Sequence, residues 1–319
     1  MIIILGREQI LELALITSKQ VFELFILIAA GVLLYKTHVV RDEHKGVLSG
    51  ILIDFVVPCM VINSFMGKSI DNAGELGKAF IYSIILCTIG IVIALLTALM
   101  VRKDIRGVYK FACSFSNAAY MGFPLISAMF GDIGIMYASA YVTVFNILLW
   151  TVGYMFFASV KSPKDILRAV VTCPPVISVA VGLVIYFGNI QIADVIAQPV
   201  SMAGAMNTPL SMIITGVTVA QTDIRNILKN VYLWIGILVR LVIIPGICTA
   251  VFYILHFSGM TAMVCLILEA CPAAAITTML AVQYDKNQEY AAGLVVASTL
   301  LSIVSLPLYA MIIQMCGLY

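Results

Sequence analysis

Apolar stretches about twenty residues long follow one another almost without pause along this chain of 319 residues. A helix rising 1.5 Å per residue needs about that length to cross roughly 30 Å of hydrocarbon. Water-soluble domains carry about 25% charged residues; here the share is 11%, against 62% hydrophobic, with a mean hydropathy of +1.10. No soluble domain of ordinary size fits between the apolar runs, so the chain is expected to be an all-α polytopic membrane protein.

Breaking the apolar runs at charged clusters predicts ten spans, at 13–36, 46–67, 76–101, 108–130, 134–160, 168–187, 195–220, 231–256, 260–283 and 288–316. The first lacks a small-residue cleavage site behind it and reads as a retained helix rather than a signal peptide. This division puts thirteen basic residues on one side: Lys36, Arg41, Lys45, Arg102, Lys103, Arg106, Lys110, Lys161, Lys164, Arg168, Arg225, Lys229 and Lys286. Arg7, Lys19, Lys68 and Lys78 fall on the other side, and Arg240 lies inside a span. Basic residues are retained in the cytoplasm, so both termini are expected outside the cell (inner) membrane. The lipid bilayer is the expected partner, and no nucleic acid is.

Five spans followed by five more would place the second half upside down relative to the first, with 1–160 and 161–319 as the two repeats. An offset of 153 residues pairs Tyr137 with Tyr290, Asp132 with Asp285, Ala138 with Ala291 and Val142 with Val295. These matches cluster where spans four and nine end and spans five and ten begin.

Spans four and nine are unusual in the same way. The fourth carries Asn117, Gly122 and Pro124 in mid-segment, the ninth Glu269 and Pro272. Proline removes an amide donor and crowds the preceding turn, so each helix is expected to kink or break. Unpaired backbone is tolerated at that depth only where protein or a watery cavity satisfies it. Two such breaks at corresponding places in inverted halves commonly cross near the midplane, where the amino ends of the half-helices suit a carboxylate. Kinks that serve only helix packing are the competing reading.

The run Asn117-Ala-Ala-Tyr-Met-Gly-Phe-Pro124-Leu resembles the crossover motif of the auxin efflux carrier family, which includes plant PIN proteins and bacterial relatives described as malonate or other organic-acid permeases. Ala-Cys-Pro272, Arg240 followed by Pro245, Pro58, and Pro209 with Gly216 match as well. The resemblance implies ten helices in two inverted repeats, a scaffold domain, a transport domain holding the crossover, and elevator-type alternating access. The long hydrophilic loop of many plant members is absent here, with only Lys161 to Arg168 between the halves.

Asn117 takes the crossover asparagine position, and its amide can bind a carboxylate or coordinate a cation; an interhelical hydrogen bond is the alternative. Gly122 and Pro124 act through backbone shape. Asn63, Asn146 and Asn207 are expected to line the same cavity. Glu269, an acid inside an apolar span, is protonated, paired or a cation ligand. The bile acid sodium symporters, more distant relatives by fold, resemble this arrangement, with a glutamate and an asparagine serving sodium. Coupling to sodium or protons through Glu269, Asn117 and Asp54 is therefore an expectation. Arg240 reads as a structural charge that pairs with an acid or with helix carbonyls to lock packing, contact with the substrate anion being the alternative; Asp54 is its candidate partner or a proton site.

The eight cysteines lie in apolar segments without paired spacing and read as inert thiols. His38, His44 and His256 fall at span ends and form no metal spacing. No cofactor is expected. An enzyme would need a nucleophile with its base or a metal constellation, and no H-E-x-x-H or G-x-S-x-G occurs. The expected function is secondary transport of a small organic anion, with a channel or a transporter-like sensor as the alternative. A homodimer through the scaffold domain is also expected.

Overall fold

The computed structural model describes residues 22–66, 73–157, 174–221 and 228–319, together with Lys19, Lys164, Val171 and Thr172. Arg7, Lys68, Lys161, Arg168, Cys173 and Arg225 lie outside the described residues, as do the start of the first predicted span and most of the stretch before the sixth.

The described residues are helical apart from turns and one isolated bridge. In chain order the helices are α1 (22–36), α2 (Asp42–Phe65), α3 (Ala73–Thr97), α4 (Arg106–Ser114), α5 (Phe123–Leu148), α6 (Pro174–Phe187), α7 (Asp194–Ala205), α8 (Asn207–Ala220), α9 (Val231–Ile254), α10 (Met260–Ala270), α11 (Ile276–Gln283) and α12 (Gln288–Met315). Six helical runs among them are long and apolar enough to cross a membrane, and Val176–Phe187 and Met260–Ala270 are shorter apolar helices.

Among the described residues, six helical runs have the length of a full crossing. Predicted spans four and nine are each split into two short pieces, so neither half reaches the length of a full crossing. Predicted spans four and five run on through Ala118–Gly153, interrupted at Gly131, where φ is +59° and ψ is −150°. A Cβ on Gly134 would stand 2.5 Å from the Cβ of Phe130 and 2.8 Å from Cγ2 of Ile126. Residues eight apart in a straight helix lie about 12 Å apart, so the chain doubles back at Gly131. Only glycine takes this backbone conformation without strain. His38 and His256 also have positive φ, 60° and 55°, and sit just past the ends of α1 and α9 as left-handed terminators.

Three prolines follow directly on widened, π-type turns. Leu52–Val56 precedes Pro58, Ala118–Gly122 precedes Pro124, and Val239–Ile243 precedes Pro245. A wider turn relieves the clash between the pyrrolidine ring and the carbonyl four residues back. For Pro124 that carbonyl belongs to Tyr120, and the Ser211 hydroxyl of α8 donates to it at 3.1 Å.

Burial separates an inner from an outer layer. Every residue of α10 from Thr261 to Ala270 is buried, Glu269 included, as a helix apolar on nearly every face must be inside a bundle. Leu99, Val195, Met202 and Ile254 are instead 70–85% exposed, which suits an apolar solvent and not water. The seven described cysteines are free thiols.

Candidate functional site

The two interrupted helices meet. α4 ends at Ser114 and α10 at Ala270, and the extended residues after them lie side by side, with Ser116 and Ala273 paired as an antiparallel bridge. The Asn117 N–H donates to the Pro272 carbonyl at 2.7 Å, and the Ala274 N–H donates to the Phe115 carbonyl at 2.9 Å. The Ala273 N–H reaches Ser298 Oγ of α12 at 3.1 Å. Each break thus completes the backbone of the other, which is the condition for irregular chain in an apolar interior. Gly122 lets the segments close: a Cβ there would fall 2.5 Å from Cδ2 of Leu268.

The carboxyl ends of α4 and α10 converge on Arg240, which is wholly buried. Its Nη1 donates to the Cys113 carbonyl at 2.8 Å and to Glu269 Oε1 at 3.1 Å; its Nε donates to the Cys271 carbonyl at 3.1 Å, and its Nη2 to the Glu269 carbonyl. Helix carboxyl ends carry partial negative charge, so a guanidinium fits there even without an acid. Glu269, equally buried, takes its second bond from the Tyr141 hydroxyl, which donates to Oε2 at 2.5 Å and stands 3.3 Å from Ser116 Oγ. The expected pairing of Arg240 with Asp54 is therefore corrected: the partner is Glu269, held on the helix whose last carbonyls Arg240 also binds.

The amino ends of the following segments face elsewhere. Asn117 opens the turn into α5, and Ala274 to Ile276 open α11; both edges border a cavity of about 380 Å³. Asp54, Ser116, Asn117, Tyr120, Asn146 and Thr172 supply its polar wall, while Val57, Val142, Phe145 and Leu149 are among its apolar lining. No lysine, arginine or histidine is among the described lining residues. The Asn117 side chain is 4% exposed and its Nδ2 has no hydrogen-bond partner. Asn146 Nδ2 donates to the Val142 carbonyl of its own helix at 2.8 Å, which leaves its oxygen for the cavity.

Asn63, Pro124 and Asn207 are elsewhere, in a smaller cavity of about 180 Å³ with Ser127, Asp132 and Thr208. The expectation that Asn63, Asn146 and Asn207 share one cavity is corrected accordingly. Six residues separate Val57, on the larger cavity, from Asn63, about 9 Å along α2, and the Tyr120–Ser211 contact lies between the two spaces. Glu269 and Pro272 line neither cavity, and Gly122 lies against α10.

Sequence reasoning passed over Tyr141 and Ser116, which join the buried ion pair to the cavity wall. A tyrosine within an apolar span was a usable signal, because a buried phenol needs a partner. The backbone acceptors of Arg240 carry no such signal.

The sequence pattern of the family described as Membrane transport protein matches residues 16–310. The chain is similar, at 24% identity over 302 residues, to an uncharacterized transporter of Methanothermobacter thermautotrophicus; the match spans 93% of this chain and 98% of that protein. An uncharacterized transporter of Methanocaldococcus jannaschii is 21% identical over 312 residues, 94% of this chain and 99% of its own length.

Proposed function

This chain belongs to the membrane transport protein family of auxin efflux carriers and related permeases, and from that premise we propose that it is a secondary carrier of small organic anions. It is a multi-pass membrane protein of a transporter family, which is not a class of enzyme. The observation that carries the finer reading is the Asn117 amide nitrogen, buried without a hydrogen-bond partner at a cavity bordered by two helix amino ends. Those ends and the amide together present donors and partial positive charge to a carboxylate.

The rest of the wall narrows the substrate. Val57, Val142, Phe145 and Leu149 offer an apolar bed, and the charged side chain lining the cavity among the described residues is Asp54, an acid. The two helix amino ends and the Asn117 amide serve one carboxylate, and a second would meet apolar wall with no basic side chain among the described lining residues to pair it. The substrate we propose is a monocarboxylate with an apolar or aromatic body, in preference to a dicarboxylate such as malonate.

The proposed architecture is ten membrane segments in two inverted repeats, 1–160 and 161–319, with α4 and α10 each the first half of an interrupted helix. The turns after both interrupted helices support it, since Gly131 and Asp285 have φ of +59° and +47° at sites one residue from the 153-residue offset. Elevator-type alternating access, both termini outside the cell membrane and a scaffold-mediated dimer complete the proposal. Within it Glu269, with both oxygens bonded, serves the crossover, and Asp54 is the acid placed to carry a coupled proton.

Counterflow in proteoliposomes tests this reading. Preloading with an unlabelled aromatic monocarboxylate should drive saturable uptake of the same labelled acid, and malonate should compete at least about tenfold less well, a difference of about 1.4 kcal/mol for one unpaired charge. Uptake that never saturates, or a preference for the dicarboxylate, would defeat it.

A further inference from the structure

The wall of the larger cavity offers hydrogen-bond donors from one set of elements and acceptors from another, and we propose that its substrate is a zwitterionic amino acid with an apolar body. The inference rests on the carrier reading and deepens it. The donors belong to the crossing: Asn117 Nδ2, buried without a partner, and the amino ends that open at Asn117 and at Ala274 to Ile276. The acceptors belong to α2 and α5. Asn146 commits its Nδ2 to the Val142 carbonyl and keeps Oδ1 for the cavity, and Asp54 contributes a carboxylate.

Asp54 is the group that selects a substrate bearing a cation. It stands in the middle of α2, is exposed, and has no hydrogen bond or ion pair among the described residues. A carboxylate placed so deep in an apolar span faces a cavity and not lipid, and it needs a counter-charge. The protein supplies none there, since no lysine, arginine or histidine is among the described lining residues. A substrate with a carboxylate alone would put a second negative charge into the same space. Between walls such as Val57, Val142, Phe145 and Leu149, like charges repel more strongly than in water. An ammonium group on the substrate removes that repulsion and gives the Asp54 carboxylate and Asn146 Oδ1 a charged donor, the stronger kind of hydrogen bond.

The same balance bears on coupling. With a plain monocarboxylate, Asp54 must take up a proton for the occupied cavity to avoid two like charges. With an amino acid, the ammonium group stands in for that proton and Asp54 stays ionised. The cavity of about 380 Å³ lies toward the lower end of small-molecule sites, roughly 300–1,000 Å³, which suits an amino acid carrying one ring.

Competition in proteoliposome counterflow, with labelled hydrocinnamate as the reporter, is the test. Phenylalanine differs from hydrocinnamate by one ammonium group and should compete at least about tenfold better than unlabelled hydrocinnamate, the lower end of what a close charge pair contributes. Para-(aminomethyl)benzoate against para-toluate repeats the comparison with the two charges farther apart, and the pair with the larger gain shows the spacing that the wall accepts. Asp54→Asn should abolish the gain by weakening the amino acid and not the plain acid, and Asp54→Glu should keep it. Neither amine gaining on its amine-free counterpart, or a gain that survives in Asp54→Asn, overturns the proposal. Should Asp54→Asn lose counterflow, equilibrium binding of labelled phenylalanine and labelled hydrocinnamate to the full chain in detergent micelles makes the same comparison, with the same outcome against it. Counterflow of hydrocinnamate with no gain from either amine would defeat this inference alone. Binding that favours phenylalanine, without counterflow of any of these acids, would defeat the carrier reading alone.

Discussion

Two buried polar clusters lie close together in this protein and differ in one respect. Around Arg240 the bonding is complete: three guanidinium nitrogens and both Glu269 oxygens have partners. In the cavities it is not, since Asn117 Nδ2 and both polar atoms of Asn207 have none. A complete cluster fastens the structure, whereas an incomplete one keeps capacity for something from outside. The kind of residue does not decide this, because an intramembrane charge and an intramembrane amide are both costly to bury. What decides it is whether the protein itself finishes the hydrogen bonding.

The largest effect on the fold should therefore come from the finished cluster. Arg240→Met leaves Glu269 Oε1 and the carbonyls of Cys113, Glu269 and Cys271 without their donor, and removing one partner of a buried pair costs about 3–5 kcal/mol. Thermal unfolding in detergent should show a large loss of stability or no folded protein. Adding Glu269→Leu should restore only part of it, because the three helix-end carbonyls stay unpaired. Full restoration would mean that the ion pair, and not the helix ends, is what Arg240 serves.

Gly122 tests the closure that brings the clusters together. An added Cβ meets Leu268 at 2.5 Å, and overpacking costs about 1–3 kcal/mol. Gly122→Ala should fall at the lower end, since the obstructing atom is a terminal methyl, and Gly122→Val at the upper. Stability unchanged in both, read from the same unfolding transition, would show that the crossing is looser than its geometry.

The crossing itself was legible in the sequence, although not to the residue. Pro272 marks the break of span nine; in span four the break falls at Phe115–Asn117, just before the run that carries Gly122 and Pro124, and the helix continues through Pro124 behind a widened turn. Two broken helices in an apolar interior have few partners except each other. The partner of Arg240 was not legible. Asp54 drew attention because it stands near Pro58, but the groups that hold Arg240 are mostly carbonyls, which every residue possesses. The sorting of the asparagines was hidden for another reason. A π-type turn adds a residue, so the face that follows Leu52–Val56 is rotated relative to a 3.6-residue count, and the helical period cannot carry a site assignment from Asp54 across to Asn63.

A smaller effect is expected where one hydroxyl repairs one carbonyl. Ser211→Ala removes the donor to Tyr120, and single interhelical hydrogen bonds in membrane proteins average about 0.6 kcal/mol. The unfolding transition should shift slightly. Because this contact lies between the two cavities, the same variant should also alter uptake rate more than substrate affinity.

Asn117 should have the least effect on stability and, in the proposed carrier, the most on function. Its Nδ2 makes no bond that Asn117→Ala would break, and removing a buried donor already unsatisfied is close to neutral or mildly stabilising, within about 0.5 kcal/mol. A residue kept at some cost to the fold, whose loss the fold does not register, is accounted for by what it binds. The measurement pairs the unfolding transition with saturable carboxylate uptake: the first should hold and the second should be lost. If Asn117→Ala instead unfolded the protein, its amide would belong with the completed cluster around Arg240, and the distinction between fastening and socket would fail at the residue on which it bears most.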